Sequence, residues 1–198
     1  MLPKRLLNLT LIPVLLTATV GFGLVRSGPV AAQDTTEKIT SAMSAAPASI
    51  AEHATILDNE VDANGKFVVL REGDNGWFCS PDAQTTPGPD PWCYDQPWLD
   101  WSYALLAGEA PHTKALGLAY MLQGGSDASN TDPFATEPAA GDEWMTTPPH
   151  IMVLMPEGSD LTAFSTDHLA GGPWVMWAGT PYEHIMMPVT EVDHEHGG

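Results

Sequence analysis

The chain is poor in positive charge, in cysteine and, beyond its first residues, in long apolar runs. Seven Lys and Arg stand against 25 Asp and Glu in 198 residues, a formal charge of −18. Such a surface repels phosphate backbones, which argues against nucleic acid as a partner. It repels anionic lipid headgroups for the same reason. The acids are scattered rather than clustered as a cation cage requires, so they read first as a solvated surface that keeps the protein soluble.

Cysteine occurs twice, at Cys79 and Cys93. The C-x-x-C spacing of a redox pair is absent. In an oxidising compartment the pair reads as a structural disulfide. It brackets Pro81, Pro87, Gly88, Pro89 and Pro91, a stretch that suits neither a helix nor a central strand. Closing a loop of this length stabilises a fold by about 3 kcal/mol in the chain-entropy account.

The familiar catalytic motifs are missing too. There is no G-x-S-x-G elbow, no H-E-x-x-H and no G-x-x-x-x-G-K-[ST]. The oxygen-rich run Asp127-Ala128-Ser129-Asn130-Thr131-Asp132 fails as a calcium loop, with Asp132 where glycine belongs and Pro138 where a glutamate belongs. Local Asx and Ser turns account for it better.

What is present begins at the N-terminus. Lys4 and Arg5 precede an apolar stretch from Leu6 to Val25, and Val30-Ala31-Ala32 follows. That order of basic, apolar and small residues predicts a secretory signal over 1–32, cleaved after Ala32. Pro13, Gly21, Gly23 and Arg26 argue against an uncleaved anchor, and no later segment is long and apolar enough to span a bilayer. Cleavage removes Lys4, Arg5 and Arg26 but no acid, leaving four basic residues and a charge of −21. The expectation is one exported domain over 33–198, periplasmic or secreted, with no membrane association once the signal is gone.

Helix signals cluster early. Asp34 with Glu37 predicts a capped helix over 35–45, and Ser49 with Glu52 a second short one carrying His53. Asp95 as cap, Pro97 in the first turn and Gly108 as stop predict a helix between them, with Trp98, Trp101 and Leu105 on one face. Strands are expected at 66–71 and 77–79, paired as a hairpin, and at 115–122, 150–155, 174–177 and 184–189. No βαβ alternation is visible. The fold class is therefore α+β, a single domain with a mainly antiparallel β-sheet and a few packed helices.

The stretches Tyr120–Ala135 (YMLQGGSDASNTDPFA), Thr147–Met152 (TPPHIM) and Gly172–Met186 (GPWVMWAGTPYEHIM) resemble an uncharacterised family of small exported bacterial proteins. The resemblance covers most of the mature chain. It implies export and a single domain, and brings no activity, cofactor or site residue with it.

The residues themselves offer one sharper pattern. His150-Ile151-Met152 is echoed by His184-Ile185-Met186. Side chains alternate along a strand, so His150 and Met152 share a face, as do His184 and Met186. Two such strands side by side would converge imidazoles and thioethers. Thioether favours soft copper(I), and imidazole accepts copper or zinc. Exported copper carriers of another family are similar in the H-x-M element alone. Met121, Met155, Met176 and Met187 also fit ordinary core filling. His194 and His196 in the tail bind metal weakly at most.

Function thus reads as a ligand- or transition-metal-binding module, with copper as the candidate cofactor and His150, Met152, His184 and Met186 as its ligands. One alternative is a periplasmic hydrolase with its site near the 123–132 loop, where Ser126, Asp127 and a histidine such as His150 can meet without sequence order. The other is a non-catalytic interaction module, which requires an exposed surface among the seven tryptophans.

Overall fold

Asp34 accepts a hydrogen bond from the Glu37 amide at 2.8 Å and opens helix α1 (Thr35–Met43). This is the first element of the computed structural model, which describes residues 34–189. The expected signal over 1–32 and the tail histidines lie outside the described residues. After α1 come α2 (Ala48–Ala51), β1 (Thr55–Val61), β2 (Phe67–Arg71), β3 (Phe78–Ser80) and β4 (Trp92–Tyr94). Then follow α3 (Gln96–Ala107), β5 (Gly117–Met121), β6 (Gly125–Asp127) and β7 (Met145–Thr147). The chain continues through β8 (His150–Leu154), β9 (Trp174–Met176) and β10 (His184–Pro188).

Eight strands make one sheet in the order β2-β1-β3-β4-β5-β8-β10-β9, and β6 and β7 pair apart from it. Every pairing in the large sheet is antiparallel except β1 with β3. The architecture is α+β, with helices on both sides of the sheet. Among the described residues no helix is long and apolar enough to cross a membrane.

Two cores follow from the alternation of side chains. On one face α1 and α2 bring Ala42, Ala45 and Ala51 against Ile56, Cys79 and Cys93. Small side chains there let the helices lie close. Cys79 and Cys93 face each other across β3 and β4 and form a disulfide. The other face carries the larger core of Tyr94, Ala119, Met152, Leu154, Trp174, Met176 and Met186, covered by Trp98 and Trp101 of α3.

Local chemistry fixes α3 on that face. Asp95 caps its first turn by accepting from the Trp98 amide, and its second oxygen accepts from the Leu118 amide of β5 at 2.8 Å. One carboxylate thus joins helix and sheet. Gly117 in β5 permits the contact, since a Cβ there would stand 3.0 Å from Pro97 and 3.1 Å from Trp98. Gly108, at φ 67°, ends the helix in the left-handed conformation that glycine adopts most easily.

Three local expectations are corrected. Ser49 and Glu52 do not form a capping box; Pro47 occupies the N-cap without a side-chain bond, and the helix is over before His53. Instead the Arg71 guanidinium donates to the Ala51 and Ala54 carbonyls at 2.7 and 2.9 Å. The strands at 67–71 and 78–80 do not pair with each other, because β1 lies between them. Residues 123–132 are not all loop, since Gly125–Asp127 pairs with Met145–Thr147.

Candidate functional site

The two H-I-M segments are neighbours. Strands β8 and β10 pair antiparallel, with Met152 directly opposite Met186 and His150 opposite Pro188. All four side chains project to the face that α3 covers. The register decides how they meet. The thioethers of Met152 and Met186 are adjacent, with Cβ atoms about 5 Å apart in such pairs. The histidines flank this pair on opposite sides, their backbone positions about 13 Å apart along the strands. The expected quartet is therefore spread along the sheet, with methionines at its centre.

Strand β9 and strand β5 complete the pattern. His184 stands opposite Met176 across β10 and β9, and His150 stands opposite Met121 across β8 and β5. These two methionines read as core filling in the sequence. The signal that identifies them is the same period of two, placed on strands whose neighbours only the fold reveals.

A cavity of about 430 Å³ opens over this part of the sheet. Met121, Met152, Met176, Met186 and His184 form its floor. Trp92, Trp98, Trp101 and Trp177 form much of its wall, and Asp90, Ser126 and Asp127 contribute polar atoms. His150 is fully buried and does not line it.

Three indoles box in His184. The rings of Trp98 and Trp177 each lie 5.2 Å away and that of Trp101 5.9 Å, all edge to face. Burial holds the imidazole pKa down to about 4, with His150 adding a smaller repulsion. Nδ1 lies 3.0 Å from the Tyr182 carbonyl. A carbonyl only accepts, so Nδ1 carries the proton and Nε2 keeps its lone pair. His150 repeats the arrangement, with Nδ1 donating to the Pro148 carbonyl at 2.8 Å and burial lowering its pKa. Its buried Nε2 has no hydrogen-bond partner among the described residues.

The carboxylates behave differently. Burial pushes the Asp127 carboxyl up to about 7, and repulsion from Asp90 adds to the rise. Asp90 is also raised by burial, against the opposing pull of hydrogen bonds from Thr86 and the Ser126 amide. The Ser126 amide donates to Asp90 at 2.6 Å, which fixes the start of β6 at the cavity.

A serine–histidine–aspartate relay does not assemble from these residues. Such a relay requires a carboxylate on Nδ1 of the histidine. In both buried histidines Nδ1 is bound to a backbone carbonyl instead. The cavity does bring Ser126 and Asp127 to the same walls as His184, although not His150.

Among the described residues no three His, Cys, Asp or Glu side chains cluster around a point where they could hold a metal ion. No tryptophan among the described residues is exposed, although Phe134 and Phe164 are. Trp98, Trp101 and Trp174 are buried, and Trp77, Trp92, Trp144 and Trp177 are partly so. The interaction-module expectation loses its exposed tryptophan surface. No protein-family model, no curated protein and no solved structure matches the chain.

Proposed function

We propose that the chain is an exported binding protein for copper(I), held by Nε2 of His184 and the thioethers of Met152, Met176 and Met186. One observation carries the reading: a neutral imidazole sits in a cavity floor made of methionines, with its other ring nitrogen anchored on a backbone carbonyl. Thioether sulfur is a soft ligand suited to copper(I), and neutral imidazole accepts the same ion. Metal-ligating histidines commonly donate the remaining ring N–H to a carbonyl or carboxylate, which sets the tautomer and the ring orientation. Thioether donors and apolar walls favour a soft cation over magnesium, which dehydrates reluctantly and takes oxygen ligands. Export is supported by the N-terminal pattern and by the Cys79–Cys93 disulfide. The resemblance to small exported bacterial proteins points the same way.

The test is an anaerobic titration of the mature protein, free of any His tag, with copper(I) against a chromophoric chelator. Native protein is expected to withdraw stoichiometric copper from the chelator, and His184→Ala to withdraw at least one equivalent less. Identical curves for the two proteins would remove His184 from the site.

A second reading draws on the carboxylate pair. Asp127 and Asp90 share a cavity, and their surroundings retain the proton on Asp127 up to about pH 7. Carboxyl pairs of unequal acidity serve as general acid and base in hydrolysis. Because the acid must be protonated, turnover of nitrophenyl ester or glycoside substrates would fall as pH rises through about 7. Asp127→Asn would abolish it while leaving copper binding unchanged. Absence of turnover, or its survival in the variant, dismisses the hydrolase. We prefer copper because the deepest part of the cavity is thioether and imidazole, out of register with any acid–base relay.

A further inference from the structure

The sheet face carries the same arrangement twice. On one side of the central Met152–Met186 pair stand His184 and, directly opposite it, Met176. On the other side stand His150 and, directly opposite it, Met121. Residues two apart on a strand share a face, so each histidine is flanked on its own strand by one of the central methionines. Long side chains at direct and diagonal positions of neighbouring strands reach one another. Met121 and Met152 both line the cavity, whereas His150 lies buried beneath the strand surface and does not.

His150 is the independent pointer to a ligand. It has no solvent exposure, and its Nδ1 is engaged by the Pro148 carbonyl. That leaves Nε2 with a lone pair and no partner. An unpaired buried acceptor is destabilising, and a bound cation or donor removes that cost. A leucine or phenylalanine would fill the same space without that cost.

We propose that Nε2 of His150 and the thioethers of Met121 and Met152 form a second copper(I) position, adjoining the first through the Met152–Met186 pair. The inference rests on the copper reading of His184 and extends it. The protein then takes two copper(I) ions on one sheet face. Met152 is a ligand to both positions, which gives an ion a stepwise path of thioethers from one histidine to the other. No change of oxidation state is involved: each step exchanges one soft ligand for another.

Copper stoichiometry of the mature protein decides it, measured anaerobically by chelator competition and by metal analysis after desalting. The native chain is expected to retain two copper(I) per molecule. Met121→Leu, which preserves volume and leaves the hydrogen bond of His150 intact, is expected to retain one. His150→Ala is expected to retain one as well, provided its circular dichroism matches the parent; Met121→Leu settles the matter if that variant does not fold. One copper per native chain, unaltered by Met121→Leu, would overturn the second position and leave the His184 site standing. No copper in the native chain would overturn both.

Discussion

A Met152→Leu, Met186→Leu double variant is expected to fold like the parent and to bind no copper(I). The two side chains are direct cross-strand partners, 6% and 1% exposed, at the centre of the larger core. Leucine and methionine have similar volumes, and such exchanges in a core usually cost less than about 1.5 kcal/mol each. Unbranched methionine fills irregular space, so some repacking follows, but the sheet register does not depend on it. The chemistry is altered far more than the packing. Both soft sulfurs at the junction of the two proposed positions disappear, which leaves each histidine a single thioether (Met176 beside His184, Met121 beside His150), too few donors to hold a soft cation against a competing chelator. Thermal unfolding would check the first half of this expectation and chelator competition the second. Native-like copper uptake in a well-folded double variant would show that the methionines serve packing alone.

The second large effect concerns the helix that roofs the cavity. Trp98→Ala is expected to destabilise the protein by about 3–5 kcal/mol, the range for deleting a buried aromatic side chain. Trp98 is 1% exposed and lies in the first turns of α3. Its ring meets Trp92, Trp101 and His184 at 5.9, 5.0 and 5.2 Å. Its loss removes the contact that Gly117 permits and leaves Trp101 and the Asp95 cap to hold the helix on the sheet. A domain of this size is stable by about 5–15 kcal/mol, so the loss takes a large share of the total. Urea unfolding followed by far-ultraviolet circular dichroism would measure it. A change below about 1 kcal/mol would mean that α3 is held mainly by its cap and its polar contacts.

Those contacts show how far the sequence could be read. Asp34, Asp95, Pro97 and Gly108 are local signals: α1 begins, and α3 begins and ends, as they dictate, while α1 stops at Met43, two residues short of the expected 45. Strands β5, β8, β9 and β10 follow from their apolar runs with boundaries within two residues, whereas β4, β6 and β7 lie in stretches that read as loop. Strand β1 escaped because Asp58, Asn59 and Glu60 are poor strand formers. Its place is secured from outside, by the Lys38 ammonium 2.7 Å from Asp58 and by pairing on both edges. With β1 unseen, the hairpin expected between 66–71 and 77–79 was the natural error.

The site divides in the same way. Period-two alternation was enough to place each histidine on the same face as its methionine. Register is a long-range property, set here by the 29 residues between β8 and β10 and by the insertion of β9. It alone determines that methionine meets methionine while the histidines stand apart. Asp90 illustrates the limit further: it comes from a proline-rich loop and acquires its role only where the Ser126 amide reaches it.

The three indole rings around His184 also make the cavity optically self-reporting. Trp98, Trp101 and Trp177 lie within 5.9 Å of that imidazole. Whatever enters sits among four of the chain's tryptophans, so emission intensity and wavelength respond to occupancy without any attached label. A heavy ion would quench them and an apolar guest would shift them towards the blue. The molecule's own light therefore distinguishes between classes of occupant before any is identified.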